Sequence, residues 1–201
     1  MSDSTQSLPP AAVVVTHPVA DFDRWKAGFD DHEPVRKANG FLGHHLNRAQ
    51  DDPNRVSIYL AVADIEQARA FVASDDLRDI MQEVGVTGPP EMTWVTPVRE
   101  AIVWDRELPG FLLSHTVADF DAWLEGYDGA DALRKSDGII GHAANRSIDD
   151  PSRAVVYHQA ETFEDLRGFL ADPELKALME NAGVTSEPEV IFATGGWAKM
   201  Y

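Results

Sequence analysis

The sequence contains no cysteine among its 201 residues. This excludes disulfide bonds, iron–sulfur clusters and thiolate chemistry, and it agrees with a cytoplasmic location. Basic residues are also scarce, because 17 Lys and Arg stand against 34 Asp and Glu and give a net charge of −17. Nucleic acids and anionic membranes bind clustered Lys and Arg, so we expect neither as a partner.

Long hydrophobic runs are missing as well. No stretch approaches eighteen apolar residues, so the sequence predicts no transmembrane helix. Residues 1–10 (MSDSTQSLPP) are polar and lack a positive charge, which predicts a disordered tail and not a signal peptide. Against these absences stands a hydrophobic content of 44%, enough to fill a packed core.

The chain spells one stretch twice, as HPVADFDRWKA at His17–Ala27 and as HTVADFDAWLE at His115–Glu125. Without a gap, residues 17–95 match residues 115–193 at 32 of 79 positions. The sequence therefore predicts an internal duplication. Its parts are the tail 1–10, repeat 1 at 11–99, a linker at 100–110 whose apolar centre predicts an edge strand, and repeat 2 at 111–201.

Within each repeat the pattern predicts the order β-α-β-β-α-β, the ferredoxin-like unit. A β-branched run ends at His17, and Asp21 is the predicted N-cap of one helix that continues to about Ala38. Glycine then stops that helix, and a DDP turn joins two further strands into a hairpin. A second capped helix and a fourth strand complete the unit, and repeat 2 carries the same signals.

Four motifs recur in both repeats: H-x-V-x-D-F-D-x-W, R-K-x-x-G-x-x-G, D-D-P and G-V-T-x-x-P-E. They resemble the dimeric α+β barrel superfamily, which includes antibiotic-biosynthesis-monooxygenase-like and cyclase-like small proteins. The resemblance implies two ferredoxin-like sheets closed face to face into one intramolecular barrel. Helices would cover the outside, and ligands would bind between helices and sheet or inside the barrel. We expect a pseudo-dimeric monomer, with a homodimer of the fused chain as the alternative.

His17 and His115 stand at equivalent strand ends, before the helix caps. They are the candidate acid–base catalysts. The alternative is a structural role, in which each imidazole fixes the strand–helix corner by bonding Asp21 or Asp119.

A second set of repeated residues is predicted to bind substrate. They are polar or aromatic pairs on the second strand, the third strand and the first helix: His44 and His142, Asn47 and Asn145, Tyr59 and Tyr157, Trp25 and Trp123. A group of this composition around an apolar cleft could orient a small oxygenated molecule. The alternatives are a satisfied polar layer between sheets and, for the tryptophans, ordinary core packing.

No metal and no cofactor is predicted, although metal and heme stay as minor alternatives. The histidines show no H-x-x-x-H spacing, and the adjacent His44 and His45 point to opposite faces of a strand. Arg36 and Arg134 each follow an acidic residue by three positions, which predicts a surface ion pair, with anion binding as the alternative.

The sequence favours a small-molecule enzyme resembling cofactor-free monooxygenases or cyclase-like proteins. Its small oxygenated organic substrate would bind near the corner between strand 1 and helix 1. The alternative is a non-catalytic ligand-binding or stress-associated barrel. The repeats differ where His45 becomes Ala143 and Leu60 becomes His158, so the two halves are not equivalent.

Overall fold

The computed structural model describes residues 8–201, which form eight strands and eight short helices. The predicted tail 1–10 lies outside this range except for residues 8–10. The strands are β1 (Ala11–Pro18), β2 (Phe41–Ala49), β3 (Arg55–Val62), β4 (Glu91–Ala101), β5 (Gly110–Thr116), β6 (Ile139–Ser147), β7 (Arg153–Ala160) and β8 (Glu189–Met200). The helices are α1 (Phe22–Asp31), α2 (Glu33–Ala38), α3 (Ile65–Val72), α4 (Asp75–Glu83), α5 (Phe120–Gly129), α6 (Asp131–Ser136), α7 (Phe163–Ala171) and α8 (Pro173–Asn181).

All eight strands join one closed antiparallel barrel in the order β1-β3-β2-β8-β5-β7-β6-β4. Two long strands connect the repeats, because each belongs to both sheets. The first half of β4 pairs with β1 up to Ala12↔Val95, and its second half pairs with β6 of repeat 2. In the same way β8 pairs first with β5 and then with β2. The predicted pair of ferredoxin-like repeats in one barrel is confirmed.

The predicted helix starts are confirmed by side-chain caps. Asp21 Oδ1 accepts a hydrogen bond from the Arg24 backbone N at 2.8 Å, and Asp119 Oδ1 accepts one from Ala122 N at 2.9 Å. Each cap satisfies an amide that the helix leaves without a partner. Glycines with positive φ, Gly40 and Gly138, follow where the next strand begins.

The single helix predicted from Asp21 to about Ala38 is instead two helices, α1 and α2, that meet at His32. Pro34 favours a break there, because its ring clashes with the carbonyl four residues earlier. Repeat 2 breaks at the equivalent Ala130 without a proline. Proline therefore cannot be the common cause. Both repeats instead share a buried arginine after the junction, which donates a hydrogen bond back to the preceding helix.

The predicted edge strand in the linker does not form. β4 continues through residues 96–101, so the segment that looked like a linker begins inside a barrel strand. The non-strand segment after it is held by Gln159, which is fully buried. The Gln159 side chain accepts from Val103 N at 2.9 Å and donates to Val103 O at 3.2 Å.

Apolar residues pack in three clusters. Two lie between the helices and the outer face of each repeat's sheet, and a smaller one lies inside the barrel. The helices therefore enclose one interior space per repeat, and the barrel encloses a third. None of the helices in residues 8–201 is long and apolar enough to cross a membrane.

Replacing Leu46 tests the packing of repeat 1. Its side chain is fully buried under the helices, so Leu46→Ala should lower the free energy of unfolding by about 2–5 kcal/mol. Urea unfolding followed by circular dichroism measures this. The exposed Ile140→Ala is the control, with a change within about 0.5 kcal/mol. Equal losses in the two variants would contradict the described packing.

Candidate functional site

The predicted substrate-binding residues do not share one cleft. His44 lies under the helices, where its ring meets Phe29 edge-on at 5.0 Å between centroids, whereas Asn47 and Tyr59 line the inside of the barrel. Side chains three apart on a strand point to opposite faces, so His44 and Asn47 cannot meet. Repeat 2 is divided in the same way, with His142 outside and Asn145 and Tyr157 inside.

The space under the helices of repeat 1, here called cleft 1, has a cavity volume of about 120 Å³. Its walls are almost entirely apolar and come from α1, α3, α4 and the outer faces of β1 and β3. They include Val15, Trp25, Phe29, Ile58, Leu60, Phe71, Ile80 and Met81. Trp25 therefore packs as core and also forms a wall of the cleft. Three polar side chains reach this apolar space: His17, His32 and Arg36.

His17 is 4% exposed, and its ring meets Trp25 edge-on at 5.4 Å. Its Nδ1 lies 3.4 Å from the Pro18 carbonyl oxygen. Donation from Nδ1 to that carbonyl leaves Nε2 with a free lone pair. Burial lowers the pKa of His17, so the imidazole is neutral at pH 7. The alternative bond to Asp21 does not form, because that carboxylate caps α1.

Arg36 is 6% exposed, so the predicted surface ion pair with Glu33 is wrong. Glu33 pairs with Lys199 instead. The Arg36 Nη1 donates to the carbonyl of Phe29 at the end of α1, and its guanidinium lies over the Phe29 ring at 3.7 Å from the centroid. Arg134 donates in the same way to the carbonyl of Tyr127. The helix break turns each arginine inward, where it caps the preceding helix.

The two other nitrogens of the Arg36 guanidinium differ in their hydrogen bonding. Nε donates to the hydroxyl of Tyr201 at 2.7 Å, but Nη2 is shielded from solvent and has no partner among residues 8–201. No carboxylate of the same residues lies within 4.0 Å of the Arg36 guanidinium. Arg134 has Asp131 at 4.0 Å, although its Nε also lacks a hydrogen-bond partner in this part of the chain. A buried cation with an unused donor favours an oxygen acceptor, above all an anionic one.

Tyr201 follows β8 of repeat 2, yet its hydroxyl contacts two residues of repeat 1. Its hydroxyl accepts from Arg36 and lies 2.9 Å from His44 Nδ1, to which it can donate. In repeat 2 the hydroxyl beside His142 comes from Tyr127 on α5, also at 2.9 Å. Phe29 replaces that tyrosine in repeat 1. The sequence pairing of Tyr127 with Phe29 therefore gave no sign that Tyr201 restores the missing hydroxyl.

The equivalent space in repeat 2, cleft 2, has a cavity volume of about 60 Å³, half that of cleft 1. His158 stands where repeat 1 has Leu60, and its ring stacks on Phe111 at 4.9 Å. His115 keeps the position of His17, but neither of its nitrogens has a partner within the described range. The structure thus gives the two candidate catalytic histidines unequal surroundings.

His32 was not among the predicted site residues, and the lack of a counterpart in repeat 2 hid it. It lies at the junction of α1 and α2, lines cleft 1 and has an unpartnered Nδ1. Across residues 8–201 no group of three or more His, Asp or Glu side chains is arranged to hold a metal ion.

No protein-family model matches the chain, and no curated protein is significantly similar to it. Solved structures do match over nearly the whole chain. An anthrone oxidase-like protein aligns with a TM-score of 0.71 at 11% identity, covering 94% of this chain and 92% of its own. A "putative monooxygenase" from Lactobacillus acidophilus gives 0.62 at 14% identity, covering 96% and 99%. A monooxygenase-like protein from Listeria innocua gives 0.54 at 8% identity, covering 93% and 95%.

These matches, at such low identity, concern the fold. The chain has the ferredoxin-like α+β barrel of monooxygenase-like proteins, with both halves of the barrel in one polypeptide. The neighbours match it end to end, so they too contain both halves in one chain.

The buried histidines make stability depend on pH. Burial lowers the pKa of His45 and of His115 to about 4, against 6.5 in the unfolded chain. Between these values the unfolded chain binds more protons, so the free energy of unfolding falls as the pH falls from 6.5 toward 4. Each of the two lowers the folding equilibrium constant by up to about tenfold between pH 7.5 and 5.5.

Urea unfolding at pH 7.5, 6.5 and 5.5 measures this loss, in a range where most carboxylates stay ionised. His115→Phe should flatten the dependence, because it removes one of the groups that must stay neutral in the folded state. An unchanged free energy of unfolding between pH 7.5 and 5.5 would contradict the neutral, buried imidazoles.

Proposed function

We propose that the protein is an enzyme whose active site is cleft 1, and that its substrate is a flat aromatic molecule bearing an acidic oxygen or C–H group. The observation that carries the proposal is the buried Arg36, which lines an apolar cavity and whose Nη2 has no partner among residues 8–201. Phenols and enolisable aromatic ketones fit this description. Their aromatic ring would pack against the apolar walls of the cleft. Their oxygen would accept a hydrogen bond from the Arg36 guanidinium.

The cavity supports a substrate of this shape. A volume of about 120 Å³ is close to that of cavities that take up one benzene ring. A first ring would lie between Trp25 and the side chains of α4, and further rings would extend through the opening. The oxygen would then accept from Arg36, because a buried guanidinium is stabilised when it gains an acceptor.

His17 is the proposed base. Its neutral imidazole, with Nε2 free, can take a proton from the substrate. Since burial makes this histidine a weak base, the substrate anion must itself be stabilised. The positive charge of Arg36 supplies that stabilisation where negative charge develops on the substrate oxygen. His32, which lines the same cavity, is proposed to orient the substrate.

The names of the structural neighbours suggest an oxidation as the step after proton removal. An electron-rich carbanion or enolate can react with dioxygen, and a CH₂ group between two rings then becomes a carbonyl while one water molecule is released. Both atoms of O₂ are accounted for, one in the carbonyl and one in water. We propose this oxygenation without a bound cofactor. An isomerisation or cyclisation that starts from the same anion needs no dioxygen.

The second candidate is a binding protein that does no chemistry. The near-complete burial of His17 favours it, because a base shielded in this way is slow to exchange its proton with water. In that case Arg36 and the aromatic walls would hold a ligand, and the histidine would only complete the packing.

Measuring the consumption of anthrone and of oxygen tests whether the protein is an enzyme. The wild-type protein should speed the conversion of anthrone to anthraquinone with one O₂ consumed per molecule. His17→Ala should lower the rate about 10²-fold or more. The matched control is His115→Ala, which alters the same position of repeat 2 and should leave the rate unchanged. Native mass spectrometry of the purified protein would show which ligand it carries, if it carries one.

Three results separate the candidates. Binding of anthrone that is lost in Arg36→Ala, without any acceleration of its oxidation over the rate without protein, would favour the binding protein. Turnover without oxygen uptake would favour isomerisation or cyclisation. Equal effects of His17→Ala and His115→Ala would exclude cleft 1 as the only active site.

The size of the cleft gives an independent prediction. Leu60→His places in cleft 1 the residue that fills cleft 2, so it should weaken anthrone binding by about tenfold or more. His158→Leu should leave binding to cleft 1 unchanged. Isothermal titration measures both variants. Undiminished binding in Leu60→His would show that the ligand lies elsewhere.

A further inference from the structure

The barrel interior forms a third space, separate from both clefts. A small chamber of about 50 Å³ lies among residues of the inner strand faces, including His45, Asn47, Tyr59 and Tyr157. Next to it lies a larger groove of about 330 Å³. Tyr59, Glu100 and Trp104 line both spaces, so the chamber continues into the groove. Strands β2 and β3 separate it from cleft 1, because neighbouring side chains on a strand point to opposite faces.

A chain of hydrogen bonds fixes the protonation state of His45. The Tyr157 hydroxyl donates to Asn47 Oδ1 at 2.9 Å, which orients the amide. Asn47 Nδ2 then donates to His45 Nδ1 at 3.0 Å. Nδ1 therefore carries no proton. Burial lowers the pKa of His45 to about 4, so at pH 7 the ring is neutral and its proton lies on Nε2.

Two hydrogen-bond donors in the chamber lack an acceptor. His45 is 5% exposed, and its Nε2 has no partner within residues 8–201, and the same holds for the Tyr59 hydroxyl. His45 and Tyr59 stand directly opposite each other on β2 and β3, on the inner face. Opposed residues of antiparallel strands bring their side chains within about 5 Å at Cβ. The two side chains that carry these donors therefore start close together on the inner face, and His45 Nε2 lies beside Gly196 of β8.

The carboxyl group at the entrance to the chamber determines which kind of ligand oxygen can bind there. Glu100 lines both the groove and the chamber, and its carboxylate would repel a bound anion. Lys199 also lines the groove, but its ammonium group is already paired with Glu33. Apart from Ser57 and Asn145, whose amide donates to the Val155 carbonyl, the other walls are apolar or aromatic, and Trp104 meets His45 edge-on at 5.6 Å. A carbonyl oxygen has two lone pairs and no charge, which matches two donors in apolar surroundings.

We propose that the barrel interior is a binding site for one small uncharged carbonyl compound, such as a ketone, ester or amide. Its oxygen accepts from His45 Nε2 and the Tyr59 hydroxyl, and its apolar body lies against Trp104. This site is independent of the function proposed for cleft 1.

The duplication explains why the site exists once. The position equivalent to His45 is Ala143, which lines the chamber and leaves room there, and the position equivalent to Glu100 is Ala198. Two histidines at these places would face each other across the barrel and fill it. The combination of His45 and Glu100 therefore occurs only once in the barrel interior, and we expect one ligand per chain.

The test compares three probes with the same phenyl ring: acetophenone, ethylbenzene and benzoate. Nuclear magnetic resonance titration follows the imidazole signals of His45 and the ring signals of Tyr59 in full-length protein carrying Leu60→His, which narrows cleft 1. Acetophenone should bind one to one and shift both sets of signals. Ethylbenzene, which has no acceptor, and benzoate at pH 7.5 should each bind at least about fivefold more weakly.

Two variants assign the contacts. Tyr59→Phe removes only the proposed donor and should weaken acetophenone binding about five- to tenfold, while ethylbenzene binding stays the same. The matched control is Tyr201→Phe, which removes a phenol hydroxyl outside the barrel and should change nothing at this site. Ala143→Leu, whose fold is checked by circular dichroism, should abolish binding by filling the chamber.

Three results would overturn the proposal. They are the absence of shifts at His45 and Tyr59 up to the solubility limit of acetophenone, equal affinity for ethylbenzene, and undiminished binding in Tyr59→Phe. An absence of shifts would mean that the chamber binds water and not the ligand, because a volume of about 50 Å³ is enough for one water molecule.

Discussion

The backbone pairing of β4 and β8 across the two repeats is the constraint on which the rest of the molecule depends. A ferredoxin-like sheet with helices on one face leaves its other face and its edges unsatisfied. Each of these two strands pairs with its own sheet first and then with the sheet of the other repeat. The pairing removes every open edge of the sheet in residues 8–201 and encloses the interior chamber.

The sequence was sufficient for the architecture because its signals are local and repeated. Aspartate caps, positive-φ glycines and alternating strands each depend on a few neighbouring residues, and their recurrence confirmed the unit. The site was harder to predict, because its key contacts are not local. Arg36 looked like one half of a surface ion pair, and only the helix break turns it inward. Tyr201 reaches it from 165 residues away.

Some residues of the site were identified from the sequence pattern but were assigned wrongly to one cleft. Strand alternation already separated His44 from Asn47, yet their shared polarity suggested one cleft. The differences at His45 and Leu60 also marked the asymmetry. Their effect depends on which face of the strand each residue occupies. His158, in place of Leu60, narrows cleft 2, and Ala143, in place of His45, leaves room inside the barrel. Duplication preserved the frame and let three interior spaces become chemically different.

The hydrogen bond between Tyr201 and Arg36 also bears on how the protein is made. A ribosome adds roughly 5–20 residues per second, so Tyr201 follows Arg36 by about ten to thirty seconds. During that interval the helices of repeat 1 have been synthesised, but β2 lacks its partner β8 and Arg36 lacks the tyrosine hydroxyl. The half of the protein translated first thus contains a buried arginine whose contacts are completed last. In the nascent chain the Nε of Arg36 lacks this acceptor until translation of the second repeat is nearly over.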